Sequence, residues 1–385
     1  MAEVVLNNNL REKIWMRDEY VTPYLRMSGF DAYMGRSTSS IIRTLSESVT
    51  NGGKTVVMPL IGLIRGEGVM GSQVLEGNED DMDTYADEIR VNWRRNAVKV
   101  PKSTSYNTSL DLLNAAKPRL RDWAANKVLK TALIQQTQGI VVPGPSVTES
   151  DGTTTQAPDI VVPYAQATAA QRNAFIVNNS DRVLFGADIA NASSGVMATA
   201  LANVDNTNDK LTAAAISKVK RMAQNTASLA ATTANNISPI TPYQLESDGS
   251  EWFVYWAHPN SFRDLRADPA MYNALKDSEV RGKNNPLFRG GDLLWDGVII
   301  REMKDLEVIP GAGAAGIDVA HNFLAGQSAL AVAWGQEPRV ITDRDQDYQF
   351  RPAVAIEELI GVKKTSFGGR QYGGVSHFVA ANPDT

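Results

Sequence analysis

One stretch constrains this chain more than any other. Residues 54–100 hold two strand-like arms around a glycine-rich, acidic tip. The first arm runs from Lys54 to Ile64. The second runs from Ala86 to Val100, with Ile89, Val91 and Trp93 alternating against Arg90, Asn92 and Arg94. Period-two alternation marks a strand with two unlike faces. Between the arms lie Gly66, Gly68, Gly71 and Gly77, then Glu76, Glu79, Asp80, Asp81 and Asp83. The pattern predicts a long β-hairpin. An isolated hairpin is marginally stable in water, so an arm of this length needs another surface to lie on, and the natural candidate is a neighbouring subunit.

The remaining chain is built for a packed body. It has 385 residues, 43% hydrophobic and 21% charged, enough for two or three compact units. A net charge of −5 argues against a dedicated nucleic-acid binder and leaves room for local basic patches. With no cysteine, disulfides, thiolate metal sites and a cysteine nucleophile are excluded. The N-terminal residues lack the pattern of a secretory signal, and no apolar run is long enough to span a membrane.

Residues 1–50 read as an extended N-terminal arm with anchors at Leu10, Ile14, Trp15, Tyr20, Leu25, Met27 and Phe30. A short helix is expected over Trp15 to Leu25 and a further segment at Ile41, Ile42 and Leu45. Residues 51–102 are the hairpin. Residues 107–138 give the strongest helical pattern, with Leu113, Ala116, Leu120, Trp123, Ala124, Thr131 and Ile134 on one stripe. Pro118 either kinks this helix or opens a second one, and Gly139 stops it. Val141 to Pro163 reads as an irregular loop, and Arg182 to Gly186 as a short strand. Lys210 to Leu229 is helical with Thr212 as N-cap. Trp252–Trp256 and Ala329–Trp334 are buried-strand candidates. Asp268-Pro269 starts a helix, and Asp296-Gly297 is a hairpin turn. The strands Val354–Val362 and Val375–Ala380 should return to the body that carries the long helix.

Catalytic chemistry finds little support. Gly66-Glu67-Gly68-Val69-Met70-Gly71 and Gly311-Ala312-Gly313-Ala314-Ala315-Gly316 both match G-x-G-x-x-G. A dinucleotide site needs the last glycine to open a helix, and neither context offers one. Gly52-Gly53-Lys54-Thr55 resembles the end of a P-loop but precedes a strand. Asp205 to Asp209 reads as a capped turn more readily than as a calcium loop. His258, His321 and His377 lack ligand spacing and read as strand-end or surface residues. The carboxylates from Glu76 to Glu88 share one exposed environment, unlike an acid–base pair, and read as solvated or as an electrostatic docking strip. No catalytic residue, cofactor or metal is expected.

The order of parts, and several local runs, resemble a known family. Gly53-Lys-Thr-Val-Val-Met-Pro-Leu, Arg65-Gly-Glu-Gly-Val-Met-Gly and Leu75-Glu-Gly-Asn-Glu resemble the hairpin of the N-four-type phage major capsid family. Outside the hairpin, Asp181-Arg-Val-Leu-Phe-Gly-Ala, Asn285-Pro-Leu-Phe-Arg-Gly, Asp296-Gly-Val-Ile-Ile-Arg-Glu and Ile360-Gly-Val-Lys-Lys-Thr-Ser-Phe also resemble that family. The resemblance covers roughly residues 50–380, while 141–175 match nothing in the pattern.

The resemblance implies an α+β Johnson fold, the capsid fold of tailed phages. It implies an N-arm (1–50), an E-loop hairpin (51–102) lying over the adjacent subunit, and a peripheral-domain spine helix (103–140). A mainly axial domain would fill 141–340, with a Pro/Thr/Ala-rich insertion near 141–175, and return strands of the peripheral domain 341–385. The implied function is a structural major capsid protein, not an enzyme, that self-assembles through pentamers and hexamers into an icosahedral head around double-stranded DNA. It would be assembled in the host cytoplasm and resident in the virion. Expected partners are copies of itself, portal and scaffolding proteins, a decoration or cement protein, and DNA contacted without sequence preference; a membrane is not among them. An encapsulin-like shell is the alternative within the fold, and a nucleotide-binding enzyme using Gly66–Gly71 or Gly311–Gly316 the alternative outside it. Charge complementarity suggests docking between Arg65, Glu67, Glu76, Glu79, Asp80, Asp81 and Asp83 of one copy and the spine of another, with Lys117, Arg119, Arg121 and Lys127, or its N-arm.

Overall fold

Two long strands, Leu330–Asp343 and Ala353–Lys364, set the architecture. In the computed structural model they pair antiparallel from Leu330↔Lys364 to Asp343↔Ala353. The structure describes residues 29–45, 55–61, 69–71, 74, 76, 84–107, 111–148, 154–225, 239–244, 251–279, 293–343, 347–348 and 350–384. The long ladder is the centre of a five-stranded sheet. Ile42–Leu45 runs parallel to its first strand, with Met34–Gly35 outside it. Asn92–Lys99 runs antiparallel to its second strand and forms the other edge.

Val332, Val354, Ile356 and Ile360 of this sheet share one buried cluster with Leu120, Ala124, Val128, Leu129 and Leu133 of the long helix. That helix starts at Leu112 under Asp111, whose side chain accepts the Asn114 N–H at 3.1 Å. Pro118 therefore lies inside the helix and does not open a second one. Helical hydrogen bonding widens to a π pattern over Ala124–Lys130 and returns to α over Thr131–Thr137. A π turn holds more residues than an α turn, so the buried stripe shifts. Val128, Leu129 and Leu133 are buried, while Thr131, expected on the stripe, is only half-buried. The helix ends just before Gly139, as expected. A separate short helix, Lys102–Tyr106, precedes it, within the 103–140 span that the resemblance gives to the spine helix.

An eight-stranded mixed sheet forms the second layer. Its main path runs 183–185, 374–380, 319–325, 251–257, 298–302 and 293–295. Tyr255, Phe253, Leu324 and Val375 pack with Ile216, Val219, Phe262 and Leu265 of the helices Ala213–Gln224 and Pro259–Ala267. Val254, Trp256 and Phe323 join the cluster of the five-stranded sheet and the long helix. The two sheets thus meet through shared core.

Local signals explain the layer. Thr212 caps its helix by accepting the Ala215 N–H, and Asp268 caps the helix Pro269–Glu279. Asp296 and Gly297 both adopt positive φ (47° and 72°) between antiparallel strands, the backbone a two-residue hairpin turn demands.

Four expectations are corrected. Residues 29–45 do not form an arm apart from the core: Phe30, Tyr33, Ile41 and Ile42 are buried in it, Phe30 edge-on to Trp256 at 5.3 Å. The Trp15–Leu25 helix falls outside the described residues. Val141 to Pro163 is not irregular, since 140–142 pairs with 160–162 and 146–148 with 154–156. The intervening Pro143 and Pro145 hide that β ribbon from a periodicity test. Gly374–Ala380 enters the eight-stranded sheet beside 319–325, not the sheet under the long helix. Only Ala353–Lys364 returns there. Finally, His321 and His377 are neither strand-end nor surface residues; both are buried inside the eight-stranded sheet.

The ring of His377 lies 2.8 Å from both the Tyr255 hydroxyl, at Nδ1, and the Gly186 carbonyl, at Nε2. A neutral ring satisfies both, with Nε2–H donating to the carbonyl and Nδ1 accepting from the hydroxyl. Burial pushes its pKa down to about 4. His321 stacks on Phe378 at 4.2 Å, and its pKa lies well below the usual histidine range through burial and then the charge of Lys364. Unfolded histidine binds its proton near pH 6.5, so between there and about pH 4 the unfolded chain holds more protons. Stability from His377 is therefore fully present above pH 6.5 and lost as pH falls toward about 4, by about 3 kcal/mol. Urea melts at pH 7 and pH 4.5 should show this loss, and His377→Gln should reduce it; equal pH sensitivity in both proteins contradicts the assignment.

Candidate assembly interface

The predicted hairpin exists, and its root is built on the five-stranded sheet. Thr55–Ile61 pairs antiparallel with Thr84–Arg90, from Thr55↔Arg90 to Ile61↔Thr84. Val56, Met58, Leu60 and Ile89 are buried, and Val57, between two of them, is 51% exposed. The buried set packs with Val91, Ala331 and Ala333, and with Leu45, Leu359 and Tyr372 at its margin. The arm root thus covers the sheet face opposite the long helix. Strand alternation sends Ala331 and Ala333 to the arm and Leu330 and Val332 to the helix cluster.

The second predicted arm divides at Val91. Before it, the chain pairs with the first arm; after it, Asn92–Lys99 pairs with Ala353–Ile360. The expected alternation holds through Ile89 and Val91 and fails at Trp93, which is 49% exposed. Beyond Val91 the strand has a new partner, and neither of its faces is covered as before.

Two devices fix the root. Gly361 lies under the arm: a Cβ there would sit 2.4 Å from the Arg90 carbonyl oxygen. A buried ion pair joins Asp87 of the arm to Lys363 of the sheet. Asp87 also accepts the Ser366 N–H at 3.2 Å, and Lys363 donates to the Glu88 carbonyl at 3.1 Å. Burial raises the Asp87 pKa, against the lowering effect of Lys363. Asp159, on the 140–162 ribbon, is buried nearby and accepts the Gly369 N–H at 2.8 Å. Its pKa is raised by burial, opposed by its hydrogen bonds and by the charge of Lys363. One lysine therefore faces carboxylates from two separate hairpins. Asp87 does not belong to the exposed acidic strip, so the expectation of one environment for Glu76 to Glu88 is corrected.

The other sequence candidates distribute unevenly. Arg65, Glu67, Glu79, Asp80, Asp81 and Asp83 lie outside the described residues; Glu76 is exposed. On the long helix, Arg119 and Lys127 are exposed and Lys117 is half-buried. Arg119 and Arg121 both lie near Asp122, at 3.9 and 3.5 Å, so part of the helix's positive charge is already matched. Gly311–Gly316 is a loop leading into the strand Val319–Ala325, with no helix after it, and Asp318 accepts the Gly311 N–H at 2.9 Å. A carboxylate there opposes a phosphate. Gly66–Gly68 falls outside the described residues. Asp205 accepts the Thr207 and Asn208 N–H groups, and Asp209 is buried, a capped turn as expected. Among the described residues no group of three or more His, Asp or Glu could hold a metal ion.

Asp87, Asp159 and Lys363 were missed from sequence. The available signal was the charged pair Lys363-Lys364 closing an apolar strand. Lys364 is fully buried, donating to the Gly139 carbonyl at 2.9 Å, and burial pushes its pKa down to about 7.

Comparison with known proteins agrees with this geometry. The profile of the phage capsid protein family matches residues 8–379, so the chain belongs to the phage capsid protein family. It forms the capsid shell as a major capsid protein. The major capsid protein of Pseudomonas phage KPP25 is 26% identical over 349 residues, covering 87% of this chain and 84% of that one. The capsid of cyanophage Pam1 matches with a TM-score of 0.76 and 32% identity over 94% of both chains. The capsid of Ralstonia phage GP4 shares the fold, with a TM-score of 0.68 and 22% identity over 92% of both chains.

Two substitutions test the root. Lys363→Met strands a buried carboxylate, and breaking such a pair costs about 3–5 kcal/mol; chemical denaturation should show the loss. Gly361→Ala should destabilise by about 1–3 kcal/mol and speed hydrogen exchange in 55–61 and 84–90 before the long helix. Unchanged exchange in the ladder contradicts the close approach.

Proposed function

We propose that this capsid subunit assembles through pentamers and hexamers into an icosahedral head enclosing double-stranded DNA, each copy clamping a neighbour with its hairpin. The supporting observation is the arm itself. Its root is locked on one sheet face by an apolar cluster, a glycine contact and a buried ion pair. A root held this firmly gives residues 62–83 a fixed point of attachment on the sheet.

The remaining parts follow. The long helix and the five-stranded sheet serve as the peripheral unit. The eight-stranded sheet with its helices serves as the axial unit around the capsomer centre, and the 140–162 ribbon is an addition tied to the arm root through Asp159. Assembly takes place in the host cytoplasm, with a portal, a separate scaffolding protein and a decoration protein as further partners. The chain is net acidic, so its contacts with packaged DNA are weak and sequence-independent. As a structural subunit it uses neither glycine motif for nucleotide chemistry.

Replacing residues 65–83 by a short glycine–serine link tests the clamp. The protein should keep its melting transition and its soluble capsomers, and should fail to close shells under electron microscopy. Full shells from this variant contradict the clamp.

A further inference from the structure

The hairpin's acidic tip needs a receiving surface, and the long helix offers a poor one, since its arginines face Asp122. The strand leaving the arm root offers a better one. Residues 90–102 carry Arg90, Arg94, Arg95, Lys99 and Lys102 and no acid. All five are exposed, and among the described residues none forms an ion pair within 4 Å. The acids across the ladder are engaged elsewhere: Glu357, opposite Arg95, pairs with Arg339, and Glu358, opposite Arg94, is buried.

The strip also has an apolar centre. Trp93, 49% exposed, shares a sheet face with Arg95 and Lys99, while Arg94 and Val98 lie on the other face of this edge strand. An aromatic rimmed by cations suits a partner that brings both charge and apolar surface, and the tip stretch combines its acids with Met70, Val74 and Leu75. Asn92–Lys99 is an edge strand, and an open edge invites addition of another strand. Here Asn92 Oδ1 accepts the Trp93 N–H and Asn96 Oδ1 accepts the Ala97 N–H, both at 2.9 Å. The edge is thereby partly closed to main-chain pairing, and recognition falls to side chains.

We infer that the strip Arg90–Lys102 is the docking rail for the acidic tip, Glu76 to Asp83, of a second copy of this chain, engaged through side chains. This inference rests on the capsid reading and names the surface the arm grips. Exposed pairs contribute only ~0–1 kcal/mol each, so the charges act on encounter and register while burial of Trp93 holds the contact.

A charge-swap experiment on the full chain tests it. One variant carries Arg94→Glu, Arg95→Glu and Lys99→Glu; a second carries Glu79→Lys, Asp80→Lys and Asp81→Lys; a third carries all six. Shell yield and assembly rate are followed by light scattering and electron microscopy, with thermal melts as the folding control. Either triple reversal alone should slow assembly roughly tenfold or more, and the six-fold variant should recover most of it. Should reversal on the edge strand prevent folding, Arg94→Gln, Arg95→Gln and Lys99→Gln replaces it, with slower assembly and a weaker salt dependence expected. Unchanged assembly after the strip substitutions overturns the rail, as does a six-fold variant no better than its parents. So does a strip variant that assembles normally but loses affinity for a double-stranded DNA fragment. If the unmodified chain forms no shells with any partner protein, the proposed function fails; if only the reversals are silent, the docking assignment alone fails.

Discussion

The burial of both faces of the sheet formed by Leu330–Asp343 and Ala353–Lys364 supports everything else in this chain. One face, through Val332, Val354, Ile356 and Ile360, packs with the long helix. The other, through Ala331 and Ala333, carries the root of the arm. A sheet buried on two sides cannot slip by one residue without exchanging these two sets of side chains. The helix therefore fixes the sheet, and the sheet fixes the root of the arm. Gly361 and Lys363, two residues apart on the same strand, add the close backbone approach and the buried charge that hold the arm there.

This arrangement separates stability from assembly. The body is stabilised by four apolar clusters that share strands, and its buried polar groups sit where elements cross. His377 links Tyr255 to the Gly186 carbonyl, Gln138 donates to the carbonyls of Glu307 and His321, and Lys364 reaches the end of the long helix at Gly139. Surface chemistry is segregated by sequence. Acids concentrate between residues 76 and 83 and cations between 90 and 102, on the two sides of the arm root. A chain with opposite charges so placed has reason to meet copies of itself in one register.

Several capped elements and turns were legible in the sequence because their signals are local, whereas the assignment of residues 330–340 and Gly374–Ala380 to their sheets was not. Thr212, Asp268-Pro269 and Asp296-Gly297 each specify their own turn of chain, and the structure uses all three. The hairpin was legible from alternation alone. What escaped depends on partners distant in sequence. The stripe on the long helix shifts because of a π turn that no residue type announces. Trp93 is exposed because its strand changes partners at Val91. His321 and His377 read as peripheral because nothing local tells a buried, hydrogen-bonded histidine from an exposed one. The Asp87–Lys363 pair joins residues far apart in the chain, and in sequence Asp87 is one more acid at the end of an acidic run.

In the proposed clamp, residues 62–83 of each copy lie on a neighbour, with the arm root held by its own sheet. A cryo-electron microscopy reconstruction of the assembled shell tests this most directly. Density for this segment should cross to an adjacent subunit, while the ladder 55–61/84–90 keeps its place against Ala331, Ala333 and Gly361. Density that folds the segment back over its own subunit, with no contact to a neighbour, would contradict it.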